Sequence, residues 1–254
     1  MRLFSVRLGM GRRIEAGNGG RRAVYQTMGL AIPAESGATF DVRPSFLERW
    51  VPYEAATRWV DVCVGLCAAL FFAPLMLVVA AAVFATDPGA VVFGQRRIGR
   101  GGRKFRCLKF RTMVVDADQR LQRLLETDAD ARDEWRRCHK LRRDPRTTPL
   151  GRFLRKSSMD ELPQIINVLC GHMGLVGPRP IVDAEVRRYG RYFVHYCSVR
   201  PGVTGLWQIS GRSDLSWDDS VRIDVRYVEN WSLTFDFMIL WKTVGAVLRG
   251  SGAY

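Results

Sequence analysis

The sequence lacks the residue patterns that mark several protein classes. Its six cysteines include no close C-x-x-C pair, which argues against a zinc site or a disulfide framework and predicts free thiols in a reducing cytosol. Arg7, Arg12 and Arg13 interrupt the N-terminal region before an apolar core can form, so the sequence predicts no cleavable signal peptide. No internal repeat is visible.

Acidic residues are also scarce relative to basic ones. The chain has 254 residues, of which 25 are Asp or Glu and 39 are Lys or Arg, and its formal net charge is +14. Because 47% of the residues are hydrophobic, the chain is too apolar to be a disordered basic tail. Its length suits one globular domain, or one domain with a tail, but not two independent domains. A charge of this size favours a polyanionic partner: nucleic acid, an anionic membrane surface or a phosphorylated substrate.

One long apolar segment stands out against this basic background. Residues 62–85 contain no charge over 24 residues, and a straight helix of that length covers about 36 Å, more than the roughly 30 Å core of a bilayer. Pro74 lies at its middle, where it favours a kink or break, and arginines flank both ends. Because Lys and Arg flanks stay in the cytosol, these flanks disfavour a single crossing. From the residues alone, a re-entrant hairpin and a membrane-spanning helix are equally favoured interpretations of this segment. A buried helix of a soluble protein is less favoured than either.

The remaining chain divides into recognisable segments. Residues 1–50 are expected to form a basic, glycine-rich tail that either lies near anionic lipid or is merely solvated, residues 51–88 to contain the apolar membrane segment, and residues 89–254 to form a cytosolic domain. Short strands at 90–93 and 104–110 predict a hairpin, and residues 116–139 predict a charged helix, broken once. The amphipathic run 235–248 predicts a helix that either lies in the membrane interface or closes the core.

The most informative stretch contains two adjacent carboxylates, Asp160 and Glu161. Ser158 and Glu161 have the spacing of a capping box, and Pro163 suits a first helical turn, so the pair is expected at a helix N-terminus. The helix end and the basic residues just upstream should lower both carboxyl pKa values. Ionised carboxylates in this setting suit nucleophilic attack on phosphorus or binding of a hard divalent cation, although acidic residues in a first turn often only stabilise the helix.

Two turn-rich blocks follow the acidic pair. Arg179 lies between Pro178 and Pro180 after Gly177, where a stiff backbone can hold its guanidinium as a bidentate phosphate ligand; the alternative is a solvated arginine in a surface turn. The block at residues 200–212 has the same ingredients and adds Trp207, which is expected in the core.

Together these motifs resemble the bacterial sugar transferases, the monotopic polyprenyl-phosphate hexose-1-phosphate (phosphoglycosyl) transferases. The resemblance covers residues 55–254, and it is specific because many weak motifs occur in the family's order. The motifs lie at Gln95–Gly99, Lys109–Met113, Asp160–Gln164, Leu175–Pro180, Arg200–Gly205, Asp224–Val228 and Asn230–Ser232. Within the family the chain looks most like the compact exopolysaccharide-initiating transferases, including its ending at residues 250–254.

The resemblance implies a fold and a set of site residues. The fold is α+β, mainly helical and monotopic, with a re-entrant membrane helix hairpin broken near Pro74, a small β-hairpin and amphipathic interfacial helices. By the match, Asp160 is the nucleophile that forms a covalent phosphosugar intermediate, and Glu161 helps to bind Mg²⁺. Arg179 matches a phosphate-contacting arginine. Three further residues match motifs that line the family's active site: Lys109, Arg111 and Asp224. Ala73 stands where the family often has serine before the proline.

The resemblance also implies a reaction and its partners. A hexose 1-phosphate passes from a UDP-sugar, with UDP-galactose or UDP-glucose favoured, to undecaprenyl phosphate, with release of UMP. The expected location is the cytosolic face of the bacterial inner membrane, in contact with membrane lipids, at the first membrane step of exopolysaccharide synthesis. Nucleic acid is not an expected partner, a homodimer is left open, and no residue identifies the hexose. The alternative is a non-enzymatic basic membrane-binding protein, which would show steep salt dependence and no UMP release.

Overall fold

The computed structural model describes residues 51–138, 141, 144–210 and 216–248. The predicted basic tail at residues 1–50 and the chain end at 250–254 lie outside the described residues. The helices are α1 (Val51–Thr86), α2 (Ala117–Thr127), α3 (Ala129–Cys138), α4 (Pro149–Lys156), α5 (Gln164–Leu169), α6 (Val186–Tyr189), α7 (Phe193–Ser198), α8 (Leu206–Ile209), α9 (Trp217–Glu229) and α10 (Leu233–Leu248). The strands are β1 (Val92–Ile98), β2 (Lys104–Phe110), β3 (Gly174–Val176) and β4 (Gly202–Thr204). The prediction of a mainly helical chain with a small hairpin is confirmed.

Helix α1 contains the apolar segment. Among the described residues, its stretch Ala55–Thr86 is the one helix long and apolar enough to span a membrane. The structure differs from the prediction of two helical arms, because α1 is continuous through Pro74. An interior proline removes one backbone hydrogen bond and its ring crowds the carbonyl four residues earlier, which bends a helix without having to end it.

Both ends of α1 contact the rest of the protein. Near its start, the guanidinium of Arg58 donates hydrogen bonds to the carbonyls of Val168 (2.5 Å) and Leu169 (2.6 Å) at the end of α5. Towards its end, Val79 and Val83 pack in a buried cluster with Phe110 and Leu154. The face turned away is apolar and exposed, and it includes Trp59, Leu70, Phe71 and Leu77. One helix therefore combines a stripe packed on the domain with an uncovered apolar face.

The β-hairpin and the following helices agree with the sequence patterns. Strands β1 and β2 pair antiparallel with Val92 opposite Phe110 and Ile98 opposite Lys104, so the first strand is longer than predicted. The connection uses Gly101 at φ 68° and a second glycine at φ 73°, a backbone conformation that glycine adopts without strain. The charged helical region breaks once, between α2 and α3, as predicted.

Helix α5 packs between the hairpin and a small parallel sheet. The side chain of Asn167 accepts a hydrogen bond from the Leu108 backbone N–H (2.9 Å) and donates one to the Arg106 carbonyl (2.8 Å), which fixes α5 against β2. Strands β3 and β4 pair in parallel, and Phe105, Cys107, Val168 and Met173 form the buried cluster of this region. The turn that precedes α5 is thereby held beside β2.

Helix α10 has one buried face and one exposed apolar face. Its inner side carries Asp236, which accepts hydrogen bonds from the Tyr227 hydroxyl and the Trp231 indole N–H (both 2.8 Å). Ile239 on the same side is fully buried, whereas Trp241 is 82% exposed. Phe237 and Val244 are exposed with it. One face thus closes the core, while the other leaves an apolar surface uncovered.

Candidate active site

The two carboxylates of the acidic pair meet one ammonium group. Lys109 near the end of β2 lies with its Nζ 2.6 Å from Glu161 Oε1 and 3.8 Å from Asp160 Oδ2. Asp160 is buried, whereas Glu161 and Lys109 are each about one-third exposed at the side chain. The structure therefore brings together three residues that the sequence assigned to the site, with one carboxylate covered and one open to ligands.

The backbone around the pair differs from the predicted helix N-terminus. Asp160 and Glu161 lie in a short 3-10 helix, Met159–Glu161, and α5 begins only at Gln164, after Pro163. Ser158 is left-handed at φ 56° and makes no side-chain capping hydrogen bond, so the predicted capping box is wrong. An N-cap residue normally has an extended backbone, from which its side-chain oxygen accepts a hydrogen bond from the first turn of the helix. The left-handed backbone of Ser158 does not direct its hydroxyl in that way. The left-handed Ser158 instead follows the end of α4 and its C-cap Ser157.

Burial dominates the electrostatics of Asp160. Desolvation raises the pKa of this carboxyl above its usual value, while Lys109 and then Arg155 act to lower it and Glu161 acts to raise it. The expectation that the site lowers the pKa of Asp160 is therefore wrong, because loss of water outweighs the nearby cations. A poorly hydrated carboxylate held beside an ammonium group can act as a nucleophile where nearby cations offset the charge that develops during attack.

Arg155 is a site residue that the sequence analysis named only as a neighbouring cation. It lies in the last turn of α4, and its Nε donates a hydrogen bond to Thr112 Oγ1 (2.9 Å). Thr112 is buried, and its carbonyl lies where a Cβ at Gly151 would collide with it. Glycine at position 151 thus allows α4 to approach the residues after β2 closely, which places Arg155 near Asp160. The one sequence feature that could have identified Arg155 as a site residue is its position five residues before Asp160.

Arg179 and Asp224 lie in a neighbouring cluster. The guanidinium of Arg179 stacks over Trp207, 5.7 Å from the ring centroid, and lies 3.8 Å from Glu185. Trp207 is half-buried and contributes to this cluster, so the expectation of an ordinary core residue was incomplete. Asp224 is buried and accepts a hydrogen bond from the Tyr189 hydroxyl (2.6 Å). Desolvation raises the pKa of Asp224 to about 7, opposed by the Tyr189 hydrogen bond and the charge of Arg179.

Arg111 takes a different position from the other predicted site residues. Its guanidinium donates a hydrogen bond to the carbonyl of Asp87 and lies 3.7 Å from that residue's carboxylate. These contacts join the end of β2 to the segment just after α1. Among the described contacts, Arg111 thus connects the hairpin to the apolar helix and has none with the acidic pair.

The β-hairpin connects the two clusters. Arg97 pairs with Phe105 and Lys109 pairs with Phe93 across the strands, so Arg97, Cys107 and Lys109 lie on one face. Burial raises the pKa of the Cys107 thiol, and both Lys109 and Arg97 are close enough to oppose this effect. Four residues separate the two cross-strand pairs, which is about 13 Å along a strand. Lys109 beside the acidic pair and Arg97 beside the Arg179 cluster therefore lie towards opposite ends of one hairpin face.

The acidic pair also provides the ligands that a magnesium ion would use. Among the described residues there is no group of three or more His, Cys, Asp or Glu side chains that could hold a metal ion. Mg²⁺ commonly binds one or two carboxylates together with substrate phosphates and water. Asp160 and Glu161 fit that limited donor set, with the partly exposed Glu161 the more accessible ligand.

Comparison with known proteins gives a consistent assignment. Residues 52–250 match the family described as "Bacterial sugar transferase". The chain is 46% identical over 223 residues to the exopolysaccharide production protein ExoY of Rhizobium meliloti, an alignment that covers 88% of this chain and 94% of that protein.

Two longer relatives align with only part of their length. The UDP-galactose-lipid carrier transferase of Erwinia amylovora is 51% identical over 178 residues, which is 70% of this chain and 37% of that protein. The undecaprenyl-phosphate galactose phosphotransferase of Salmonella typhimurium is 47% identical over 197 residues, which is 78% of this chain and 41% of that protein. The chain thus spans nearly all of ExoY but less than half of these two relatives.

Proposed function

Because the chain belongs to the bacterial sugar transferase family, we propose that it transfers a hexose 1-phosphate from a UDP-sugar to undecaprenyl phosphate and releases UMP. The observation that carries this proposal is the buried carboxylate of Asp160, held with Glu161 at Lys109 and beside Arg155. The named activities of the relatives support sugar-phosphate transfer to a lipid carrier. The product is the first lipid-linked sugar of a surface polysaccharide.

The reaction proceeds in two displacements at one phosphorus. A carboxylate oxygen of Asp160 attacks the sugar-bearing phosphorus, and the bond to the bridging oxygen breaks, so its electron pair leaves on UMP. A phosphate oxygen of undecaprenyl phosphate then attacks the same phosphorus. The bond to Asp160 breaks, the free carboxylate returns, and undecaprenyl diphosphate sugar is formed. Lys109 and Arg155 reduce the repulsion between the anionic nucleophile and the anionic substrates.

A bound Mg²⁺ would further reduce this repulsion by sharing charge with the substrate phosphates. Glu161 is the residue proposed to hold it, because its carboxylate is more exposed than that of Asp160. Before the ion and the substrate bind, Lys109 neutralises the Glu161 carboxylate. Asp160 then remains available for attack on phosphorus.

Helix α1 is proposed to bend at Pro74 and so to enter and leave the cytosolic leaflet of the inner membrane on the same side. The contacts of Arg58 near its start and of Val79 and Val83 near its end, all with one catalytic unit, support this topology over a crossing. The exposed apolar faces of α1 and α10 would contact lipid and hold the site at headgroup level, where a membrane lipid and a soluble nucleotide sugar can meet. Thiol labelling of cysteines introduced at Ala55 and Pro88 should reach both from the cytosolic side.

The central experiment separates the first displacement from the second. Full-length protein, Mg²⁺ and UDP-sugar labelled in the hexose are mixed without lipid acceptor. We expect a burst of UMP and label on the protein that hydroxylamine releases, as for an acyl phosphate. The same substrate labelled in uracil should leave no label on the protein. Release of UDP would instead indicate direct glycosyl transfer, and a panel of UDP-sugars would identify the hexose.

The variant Asp160→Asn should abolish both the burst and the label. Asp118→Asn is the matched control, because it replaces an exposed carboxylate on α2 by the same amide. Turnover by Asp160→Asn would show that the nucleophile is another residue.

A further inference from the structure

An exposed phenylalanine lies beside the lysine that holds the acidic pair. Phe93 on β1 is the cross-strand partner of Lys109 on β2. Side chains of directly opposite residues point to the same face of a hairpin, with their Cβ atoms about 5 Å apart. Lys109 in turn contacts both Glu161 and Asp160. Because Phe93 is 57% exposed, a large apolar ring faces solvent at the edge of the candidate active site.

The hairpin face that carries Phe93 is covered at one end and open at the other. Phe105 and Cys107 lie on the same face and are buried in the cluster that contains Val168. Towards the other end, the Lys109 side chain is about one-third exposed and Phe93 is more than half exposed. The open end of this face therefore presents one apolar ring and one cation side by side.

The apolar helix lies next to this open end. Val91 packs against the buried cluster near the end of α1, and Phe93 follows it by two residues, or about 7 Å of extended chain. Met159 and Leu162, which bracket the acidic pair, pack against the same cluster. The start of β1 and the acidic pair therefore both rest on α1, so a membrane lipid beside the end of this helix is close to both.

The two substrates of the proposed reaction differ in what they can place against this ring. In undecaprenyl phosphate the phosphate is bonded directly to an apolar chain, so the first isoprene units must accompany the phosphate to the acidic pair. A UDP-sugar carries hydroxyl, phosphate and uracil groups along its whole length. Packing an exposed apolar ring against an apolar chain removes water from both surfaces, whereas packing it against polar groups also removes water that those groups need. A cation beside an apolar ring thus matches a lipid phosphate better than a nucleotide sugar.

We propose that Phe93 is a specificity-determining residue for the lipid acceptor, whose first isoprene units pack against its ring while the lipid phosphate lies beside Lys109. The inference rests on the proposed function and concerns its second displacement. Phe93 touches no reacting atom. It favours an acceptor whose phosphate carries an apolar chain, and the first displacement, in which UMP leaves, does not use it.

The decisive variant is Phe93→Ala, assayed as full-length protein in detergent micelles. We expect kcat/KM for undecaprenyl phosphate to fall roughly tenfold, because most of the apolar contact with the chain is lost. The rate of the UMP burst with UDP-sugar, Mg²⁺ and no acceptor should stay within about twofold of the wild-type rate, because an interaction absent from a step leaves that step unchanged. A normal burst also shows that the variant is folded.

Two further variants separate contact with the lipid chain from other effects. Phe93→Leu keeps an apolar side chain and should recover most of kcat/KM for undecaprenyl phosphate, whereas stacking against a sugar would need the aromatic ring. Phe153→Ala is the matched control, because Phe153 on α4 is 56% exposed and its loss removes an equal ring from the surface outside the hairpin. Its kcat/KM for undecaprenyl phosphate should stay within about twofold of the wild-type value, as expected for a side chain that does not touch the acceptor.

Three results would overturn the inference: an unchanged kcat/KM for undecaprenyl phosphate in Phe93→Ala, an equal loss in Phe153→Ala, or a loss that Phe93→Leu does not reverse. A slower UMP burst in Phe93→Ala would also overturn it, because the ring would then act on the UDP-sugar. Failure of the wild type to release UMP from any UDP-sugar would instead overturn the proposed function, so the two failures are distinguishable.

Discussion

Replacing Asp224 by asparagine should make the stability of the protein less dependent on pH. Burial raises the pKa of this carboxyl from 3.8 to about 7, so the folded protein keeps a proton that the unfolded chain releases between these pH values. The wild type should therefore lose stability as the pH rises through this window. Asparagine cannot ionise, and its side-chain oxygen can still accept the Tyr189 hydrogen bond.

The size of the effect follows from the same pKa values. A change from 3.8 to about 7 corresponds to about 4 kcal/mol at about 1.4 kcal/mol per pKa unit, which sets the upper bound. Below pH 4 the carboxyl is protonated in both states, so the wild type and Asp224→Asn should have similar free energies of unfolding. Above pH 7 the variant should be the more stable by up to that amount.

Denaturant unfolding of the full-length protein in detergent, followed by tryptophan fluorescence between pH 4 and 8, measures this difference. Asp183→Asn serves as control, because it replaces an exposed surface carboxylate by the same amide. A difference between Asp224→Asn and the wild type that stays constant across the range would refute the reasoning. A wild type that gains stability as the pH rises, relative to the variant, would also refute it.

Other perturbations test the remaining contacts of the site. Lys109→Gln should slow UMP release about 100-fold, since its ammonium lies 2.6 Å from Glu161 and 3.8 Å from Asp160, and single-turnover kinetics measure this. Gly151→Ala should lower the free energy of unfolding by about 1–3 kcal/mol in denaturant titrations, because the added Cβ would collide with the Thr112 carbonyl. Arg58→Ala should lower it by about 1.5–3 kcal/mol, because the hydrogen bonds from a charged donor to the end of α5 are lost, and unchanged unfolding would contradict this role.

Much of the secondary structure and the acidic pair could be predicted from local patterns. The apolar run predicts α1, the glycine-rich turn predicts the hairpin, and the charged periodic segment predicts α2 and α3, because each pattern depends on residues close together in the chain. The prediction of a capping box was wrong because it used local spacing alone. Its spacing was correct, but the left-handed conformation of Ser158 depends on how the end of α4 and the start of α5 are both held in the tertiary structure.

Residues that act through distant partners could not be found in this way. Arg155 reaches the site because Gly151 lets α4 pack closely on the Thr112 backbone. Glu185 lies near two arginines only because β1 brings Arg97 and the loop after β3 brings Arg179 to it. Arg111 shares a motif with Lys109 but contacts Asp87, because it follows the end of β2 at Phe110 and lies beside the segment after α1.

The sequence by itself determined that this is a basic chain with one long apolar helix and a carboxylate pair in the order of motifs of a sugar transferase, since composition, periodicity and motif order are properties of the chain. Only the tertiary structure decided that both ends of the apolar helix contact one unit, that Asp160 is buried enough to raise its pKa, and that two arginines share a single carboxylate. Burial and charge pairing depend on which distant segments exclude water from a group, and packing alone sets that.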